Sequence, residues 1–434
     1  MLYIQLYNFY NKWHLLPNFA KNNTIMINRI LIFAFFTFLF IGKINAQTET
    51  QIYNDVVFLS DDKLEGRKTG SEGEKIAAEY IAKRFKEIGL APKGNNGYFQ
   101  DFTFTPKTNP HGEVKFSDTN SNNTITGRNI LGYIDNNAKQ TIIIGAHYDH
   151  LGYGGEGSLY RGEKKQIHNG ADDNASGVAT LLNLAEKLTK TNTGNNYLFM
   201  AFSGEEMGLL GSNYFVKNST INLENVNYML NMDMVGRLKE DNALAIYGVG
   251  TSPIFKHLVT VYNDNFKLIL KESGVGPSDH TSFYLNDIPV LHFFTGQHED
   301  YHRPSDDYDK LNYKGMELIS EYIYSIITDL DDNGKLPFRK TKNESEDAPR
   351  FKVTLGVVPD YMFDGKGMRI DGVSEEKPAQ KAGLQKGDVV VKLGEISITD
   401  MMSYMKALSS FKSGDSTTVT VERNGKTTEK KVTF

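Results

Sequence analysis

The chain has 434 residues, 39% of them hydrophobic and 23% charged, which suits a soluble globular protein of two or three domains. Its formal net charge is -5, so it carries no basic field to attract nucleic acid or an anionic membrane. It contains no cysteine, which excludes disulfides, a catalytic thiol and cysteine–zinc sites; any zinc must be held by His, Asp and Glu.

Near the N-terminus, Asn28-Arg29 precede the apolar run 30–41 (ILIFAFFTFLFI), and Ile44-Asn45-Ala46 offers a cleavage site before Gln47. The run is about 12 residues, against the roughly 20 needed to span a bilayer. A signal peptide is therefore predicted over 1–46, with Met26 as an alternative start. Export to a bacterial periplasm or the medium follows, without a stable membrane anchor. The single tryptophan, Trp13, lies in this segment.

Residues 71–90 (SEGEKIAAEYIAKRFKEIGL) read as an amphipathic helix. Ser71 and Glu74 make a capping-box pattern, Ile76, Tyr80, Ile81, Phe85 and Ile88 share a face, and Gly89 suits the C-terminal cap. Beyond 141, apolar runs alternate with helical patterns: strands over 141–146, 197–202, 227–232 and 289–294, helices over 175–188 and 207–216. Such alternation predicts an α/β sheet covered by helices. Residues 335–350 are polar, with two prolines, and read as a linker. Residues 351–434 form a separate domain rich in β-branched residues and glycine turns.

Metal-binding side chains recur in five separated segments: His147 in GAHYDHLG, Asp172 in NGADDNASG, Glu205 and Glu206 in FSGEEMGLLGS, Asp233 in NMDMVG and His302 in EDYHRPSDD. His147, the Glu pair and Asp233 each follow a predicted strand, where open α/β sheets place their sites. Asp149, two residues past His147, is positioned to take the other imidazole N–H. Adjacent Glu205 and Glu206 cannot both point one way, so one can bind metal while the other faces substrate as a base. Asp233, between two methionines, is costly to desolvate unless paired or bound to metal. Taken singly, each has an ordinary structural explanation. Asp172-Asp173 suits a helix N-terminus, and His302 a surface loop. Together they suit two zinc ions sharing a carboxylate, an arrangement that activates water for hydrolysis.

The motifs GAHYDHLG, GADDNASG, SGEEMGLLGS, NMDMVGR, SDHTSFY and YHRPSDD, in this order, resemble the co-catalytic zinc aminopeptidases of metallopeptidase family 28, from about Asn54 to Asp331. The resemblance implies a three-layer α/β/α, zinc exopeptidase-type mixed sheet over 47–334. It implies two Zn2+ ions held by His147, Asp172, Glu206, Asp233 and His302, with Asp172 bridging, and a cis bond at Asp172-Asp173. It gives Glu205 the role of general base and acid and offers the Tyr301 hydroxyl to the oxyanion. Asp149, Asp173 and Asp279 would stand around these ligands. The substrates implied are peptides with a free N-terminus. Other histidines (His150, His168, His257, His292, His298) are assigned ordinary structural roles.

Residues 351–434 resemble a small, β-rich PDZ domain, through VTLGVVPDY and GMRIDGVSEEKPAQKAGLQKGDVVVKLGEISITD. Leu355, Gly356 and Val357 would receive a peptide C-terminus, and a helix near 400–410 would form the other wall through Met401, Met405 or Leu408. The alternative is a PDZ domain that only packs on its neighbour. Competing functions are a glutaminyl cyclase-like acyltransferase, which shares the scaffold, a dipeptidase or carboxypeptidase of the same family, and a non-catalytic peptide-binding protein. The absence of tryptophan after residue 46 disfavours the cyclase.

Overall fold

A computed structural model describes residues 50–434 apart from 107–114, 118–122, 156, 192–193, 343–352, 361–362, 364 and 375–376. The predicted signal peptide and the second half of the predicted linker lie outside the described residues.

The helix Glu72–Ile88 starts where Ser71 Oγ accepts the Glu74 N–H (3.2 Å) and ends at Gly89, whose φ of 95° favours glycine. The capping box is only half made. The Glu74 carboxylate accepts from Gly70 N–H and turns inward to the hydroxyls of Ser203 and Tyr148. Ala77, Ala78, Ile81 and Phe85 are fully buried. Truncating Phe85 to alanine would cost roughly 3–5 kcal/mol.

Among the described residues, the first sheet is built from β1 (Ala91–Pro92), β2 (Phe99–Thr105), β3 (Lys115–Phe116), β4 (Ile125–Ile134), β5 (Thr141–His147), β6 (Asn196–Phe202), β7 (Val226–Met232), β8 (Ala243–Tyr247), β9 (Lys267–Lys271) and β10 (Val290–Phe294). Its order is β3-β2-β4-β6-β5-β7-β10-β8-β9, with β1 beside β4. β6, β5, β7 and β10 form a parallel block, flanked by antiparallel pairs at β4 and β8.

Alternating side chains of this block feed two cores. Ile142 and Ile144 of β5 join a cluster with Phe85, Leu184 and Ile323 from the helices Glu72–Ile88, Gly177–Leu188 and Tyr313–Asp329. Ile143 joins Phe215 and Phe283, from the helices Leu210–Lys217 and His280–Tyr284. Period-two burial on both faces produces the three layers. The helix predicted at 207 begins only at Leu210, because Gly208 (φ 109°) and Leu209 (φ 58°) are left-handed. The helix predicted at 175 begins at Gly177, after an irregular turn over Ala171–Ser176.

Arg67 pins the edge of this unit. It is fully buried and donates to the carbonyls of Tyr148, Leu59, Asn169 and Gly170, tying the segment before the first long helix to the end of β5 and to the turn before Gly177. The described part of the predicted linker is also anchored. Leu336 N–H donates to Asn227 Oδ1 (2.7 Å) and Arg339 N–H to the Thr251 carbonyl (2.7 Å).

The C-terminal sheet comprises β11 (Val357–Pro359), β12 (Met368–Val373), β13 (Val389–Leu393), β14 (Ile396–Ser397), β15 (Ser416–Arg423) and β16 (Lys426–Thr433). It encloses its own core of Leu355, Ile370, Val390, Leu408 and Val421. The helix Met401–Ser409 is started by a complete capping box between Asp400 and Ser403. Among the described residues no helix is long and apolar enough to cross a membrane.

Candidate metal centre

Because β6, β5 and β7 are parallel neighbours, their carboxyl ends stand side by side. His147 is the last residue of β5, Asp233 follows β7, and Glu205 and Glu206 follow β6 after the turn Ser203-Gly204. Gly204 has φ 71°, which a side chain would resist. His302 arrives from the loop after β10 and is itself left-handed (φ 55°).

Two tripods result. His147 Nε2 lies 3.3 Å from Asp173 Oδ1 and 3.4 Å from Asp233 Oδ1. His302 Nε2 lies 3.2 Å from Asp173 Oδ2 and 3.3 Å from Glu206 Oε2. Two ligands each about 2.0–2.1 Å from one tetrahedral ion stand about 3.3 Å apart, so every one of these separations is a tetrahedral edge. Asp173 presents one oxygen to each tripod. His147 Nδ1 faces the Asp149 carbonyl (3.2 Å) and His302 Nδ1 the Gly157 carbonyl (2.9 Å). Carbonyls only accept, so both Nδ1 atoms carry hydrogen and both Nε2 atoms are turned to the carboxylates, the tautomer a metal ligand requires. The donor set fits two zinc ions.

Three expectations are corrected by this geometry. Asp172 does not stand between the tripods. Its oxygens accept from Gly236 N–H (2.7 Å) and face His298 Nε2 (3.0 Å), and its neighbour Asp173 takes the central position. The cis peptide bond is Asp173-Asn174, not Asp172-Asp173. Asp149 meets His147 through its carbonyl, while its carboxylate accepts from Thr69 Oγ1 (2.9 Å) and Glu205 N–H (3.1 Å). In NGADDNASG the sequence presents two adjacent carboxylates, and only the backbone path of the turn decides which one faces the centre.

Several participants escaped the sequence reading. The Asp306 carboxylate accepts the N–H groups of Asp172 and Asp173 (3.0–3.1 Å) and so fixes the turn. Ser278 Oγ donates to Asp233 Oδ2 (2.7 Å) and accepts from Asn231 Nδ2 (2.8 Å). Asp306 lies in the same YHRPSDD motif as His302, and Ser278 precedes Asp279, so both sat within recognised segments. His150, assigned a structural role, is buried with Nδ1 2.7 Å from Glu206 Oε1 and 3.9 Å from Asp173 Oδ2. Its contact with Glu206 is too bent for a hydrogen bond. These unequal separations do not match a tetrahedral edge, whereas those of His302 do.

Burial opposes every charge here, and the neighbours decide each outcome. Burial would raise Asp173, but His147 and His302 hold it well below the usual range. Burial and Asp173 would raise Glu206, but His302 and His150 hold it at about 2. Burial would lower His302, but Glu206 and Asp173 push it up to about 11. Glu205 belongs to neither tripod. Burial, aided by Asp233, Glu206 and Asp279, pushes it well above the carboxylate range against the pull of His147. Asp279, fully buried with neither oxygen hydrogen-bonded, is raised by burial to about 7. Asp173 and Glu206 are thus held low at the tripods, while Glu205 beside them is raised.

The tripods open into a cleft of about 860 Å³ lined also by Glu205 and Tyr301. The Tyr301 ring stacks on His302 (3.8 Å between centroids). Leu355 and Gly356 of the C-terminal domain are not part of this cleft. Leu355 is buried, and Gly356 N–H donates to Thr354 Oγ1 (3.0 Å). Val357 opens β11, the edge strand of its sheet.

Known proteins agree with this architecture. Residues 129–327 match peptidase family M28, and residues 338–434 match the PDZ domain. The alkaline phosphatase isozyme conversion protein of Escherichia coli K12 is 30% identical over 221 residues, 51% of this chain and 60% of that protein. A probable leucine aminopeptidase of Trichophyton verrucosum is 30% identical over 174 residues, 37% of this chain and 44% of its own. The chain spans about half the length of these curated relatives. In fold it is similar to a zinc aminopeptidase from Bacillus subtilis (TM-score 0.52, 17% identity, 68% of this chain and 96% of that one). It is equally similar to a glutaminyl cyclase from Porphyromonas gingivalis (TM-score 0.51, 17% identity, 65% and 98%). By these matches residues 129–327 resemble a peptidase family M28 domain and residues 338–434 a PDZ domain.

Proposed function

We propose that this protein is an exported, zinc-dependent aminopeptidase that removes N-terminal residues from peptides. The observation that carries the proposal is the placement of Asp173, whose Oδ1 and Oδ2 face His147 and His302 at 3.3 and 3.2 Å. His147, Asp173 and Asp233 would hold one ion, and Asp173, Glu206 and His302 the other. The pair would supply the acidity that brings a water near deprotonation at neutral pH and the charge that polarises a carbonyl.

The chain's own residues do the rest. Glu205, held by its N–H on Asp149 and lining the cleft, takes the proton of the attacking water and passes it to the leaving amine. Its raised affinity for protons suits that exchange. Tyr301, stacked on His302, is placed to donate to the developing oxyanion. The substrate's α-ammonium would meet the carboxylates of the centre, which restricts cleavage to the first residue. The similarity to a probable leucine aminopeptidase supports the peptide substrate class. The likeness to a glutaminyl cyclase is one of fold alone, and a shared Asp173 between two histidine tripods favours the hydrolase. The PDZ domain would bind peptide.

The test is hydrolysis of a panel of free and N-acetylated aminoacyl 4-nitroanilides by the mature protein, chelated and then resupplied with zinc. Zinc-dependent release that requires a free amine is the expected result. Release that ignores N-acetylation, or no release at all, would contradict the proposal and move weight to the dipeptidase, carboxypeptidase, cyclase or binding readings.

A further inference from the structure

The cleft that begins at the tripods does not end on the peptidase domain. Its far side is formed by Phe363, by Met368 at the start of β12, and by Met401 and Met405, one turn apart on the helix Met401–Ser409. Phe363, Met401 and Met405 border the same space as His147, Glu205 and His302, while Met368 is buried in the domain core behind them. Met401 and Met405 are only half-buried, whereas Leu408 of the same helix is core. The helix therefore borders the cleft with its half-buried methionines, Met401 also packing on the domain core, and turns Ala407 and Leu408 into that core. Flexible methionines suit a surface that must accept varied side chains.

The seat of the domain is marked by charge. Asp371 of β12, whose side chain is 5% exposed, pairs with Lys239 of the peptidase domain (3.5 Å) and with Lys386 (3.3 Å), and Lys386 in turn lies 3.9 Å from Glu299. Glu299 is three residues before His302. The Gly356 N–H, a donor expected to cap a peptide carboxylate, is meanwhile engaged inside the domain, on Thr354 Oγ1 (3.0 Å).

We infer that the PDZ domain is the second wall of the substrate cleft, and that Phe363, Met401 and Met405 receive the residues downstream of the scissile bond. This rests on the aminopeptidase reading. An exopeptidase encloses the first residue at its centre, and the rest of the chain must leave through whatever space adjoins it. At about 860 Å³ the cleft lies in the range that holds an extended oligopeptide rather than one residue. Its outer wall sets Phe363, Met401 and Met405 beside Asp360, Thr399 and Asp400, and the apolar patch favours peptides with an apolar side chain beyond the first position.

The experiment uses the full mature chain and two substrates with the same first residue: the best 4-nitroanilide of the panel, and a tetrapeptide continuing Ala-Phe-Ala. The quantity read is the ratio of their kcat/KM values. In M401E/M405E, a pair of half-buried positions, the ratio of tetrapeptide to anilide falls about tenfold, the size expected when two apolar anchors are lost. In M401L/M405L it recovers. Bound zinc and the unfolding midpoint are measured on each variant to show that all are folded. A ratio that stays constant, or an anilide rate that falls alone, overturns the inference, the second outcome by placing the wall around the first residue instead. Failure of the wild type to cleave either substrate is a separate result: it removes the aminopeptidase reading itself, and the wall with it.

Discussion

Two pairs of histidines lie buried near one another and have opposite electrostatic fates. His147 and His302 face carboxylates through Nε2, and both are raised, His302 to about 11. His280 and His292 stack on each other at 4.5 Å, nearly parallel. Burial pushes His292 down to about 4 and His280 well below its usual range. Burial is common to both pairs. What differs is the company: tripods of carboxylate beside an anchored Nδ1 in one case, another ring in the other. A buried histidine therefore marks a cation site only when its outward nitrogen meets carboxylates at a ligand–ligand spacing.

The largest effect expected from breaking this contrast is at Glu205, the carboxylate outside both tripods whose proton affinity burial raises. Glu205→Gln should lower kcat by about 10³-fold, within the span ascribed to general acid–base catalysis, while zinc content stays unchanged. Equal loss of zinc and of activity would make Glu205 a ligand instead.

A second prediction sharpens the role of burial without opposite charge. Glu74 is raised by burial to about 7 despite its bonds from Ser203, Gly70 and Tyr148. Its folded-state pKa is above the unfolded value, so the folded form holds a proton that the unfolded chain releases. The contribution of Glu74 to stability is then largest below pH 4.5 and falls as pH rises from there through 7, by about 3 kcal/mol at most. Denaturant unfolding of wild type and Glu74→Gln at pH 5 and pH 8 should show this slope in the wild type and a flatter one in the variant. A slope that survives the substitution assigns it elsewhere.

The smallest effect concerns the neutral pair. His292 accepts one contact from Asn231 Nδ2 (3.1 Å), a group that also bonds Ser278. His292→Phe should cost only about 1 kcal/mol at pH 7. It should also remove part of the acid sensitivity between pH 6.5 and 4, because a depressed histidine supports the fold only while neutral. A variant that loses bound zinc would show that the pair belongs to the centre after all.

Much of the fold was legible because its signals are local. Apolar runs such as TIIIGA and YLFMAF are buried on both faces and so read as inner strands, and Gly89 closes its helix where φ must be positive. The site was legible as a set of segments, since His147, Glu206, Asp233 and His302 each occupy a distinct motif at a strand end or loop. The rest depended on the course of the backbone. Asp172 and Asp173 are chemically identical, and the turn over Ala171–Ser176, fixed by Asp306 from more than a hundred residues away, selects between them. Asp149 likewise offers a carbonyl and a carboxylate to the same imidazole, and only the three-dimensional path shows that the carbonyl is used. The antiparallel strands over 91–134 were not read: β1 and β3 are two residues each, and the ten-residue β4 is interrupted by Gly127 and Gly132. That Met401 and Met405 line the cleft holding the tripods is a matter of domain placement, which no local pattern encodes.

The central claim, that Asp173 joins two histidine tripods, is tested most directly by the zinc content of the purified mature protein and of two variants, Asp173→Asn and Asp172→Asn. The account predicts two zinc ions per chain in the wild type, loss of both in Asp173→Asn, and retention of both in Asp172→Asn at metal excess. Retention in Asp173→Asn together with loss in Asp172→Asn would contradict it.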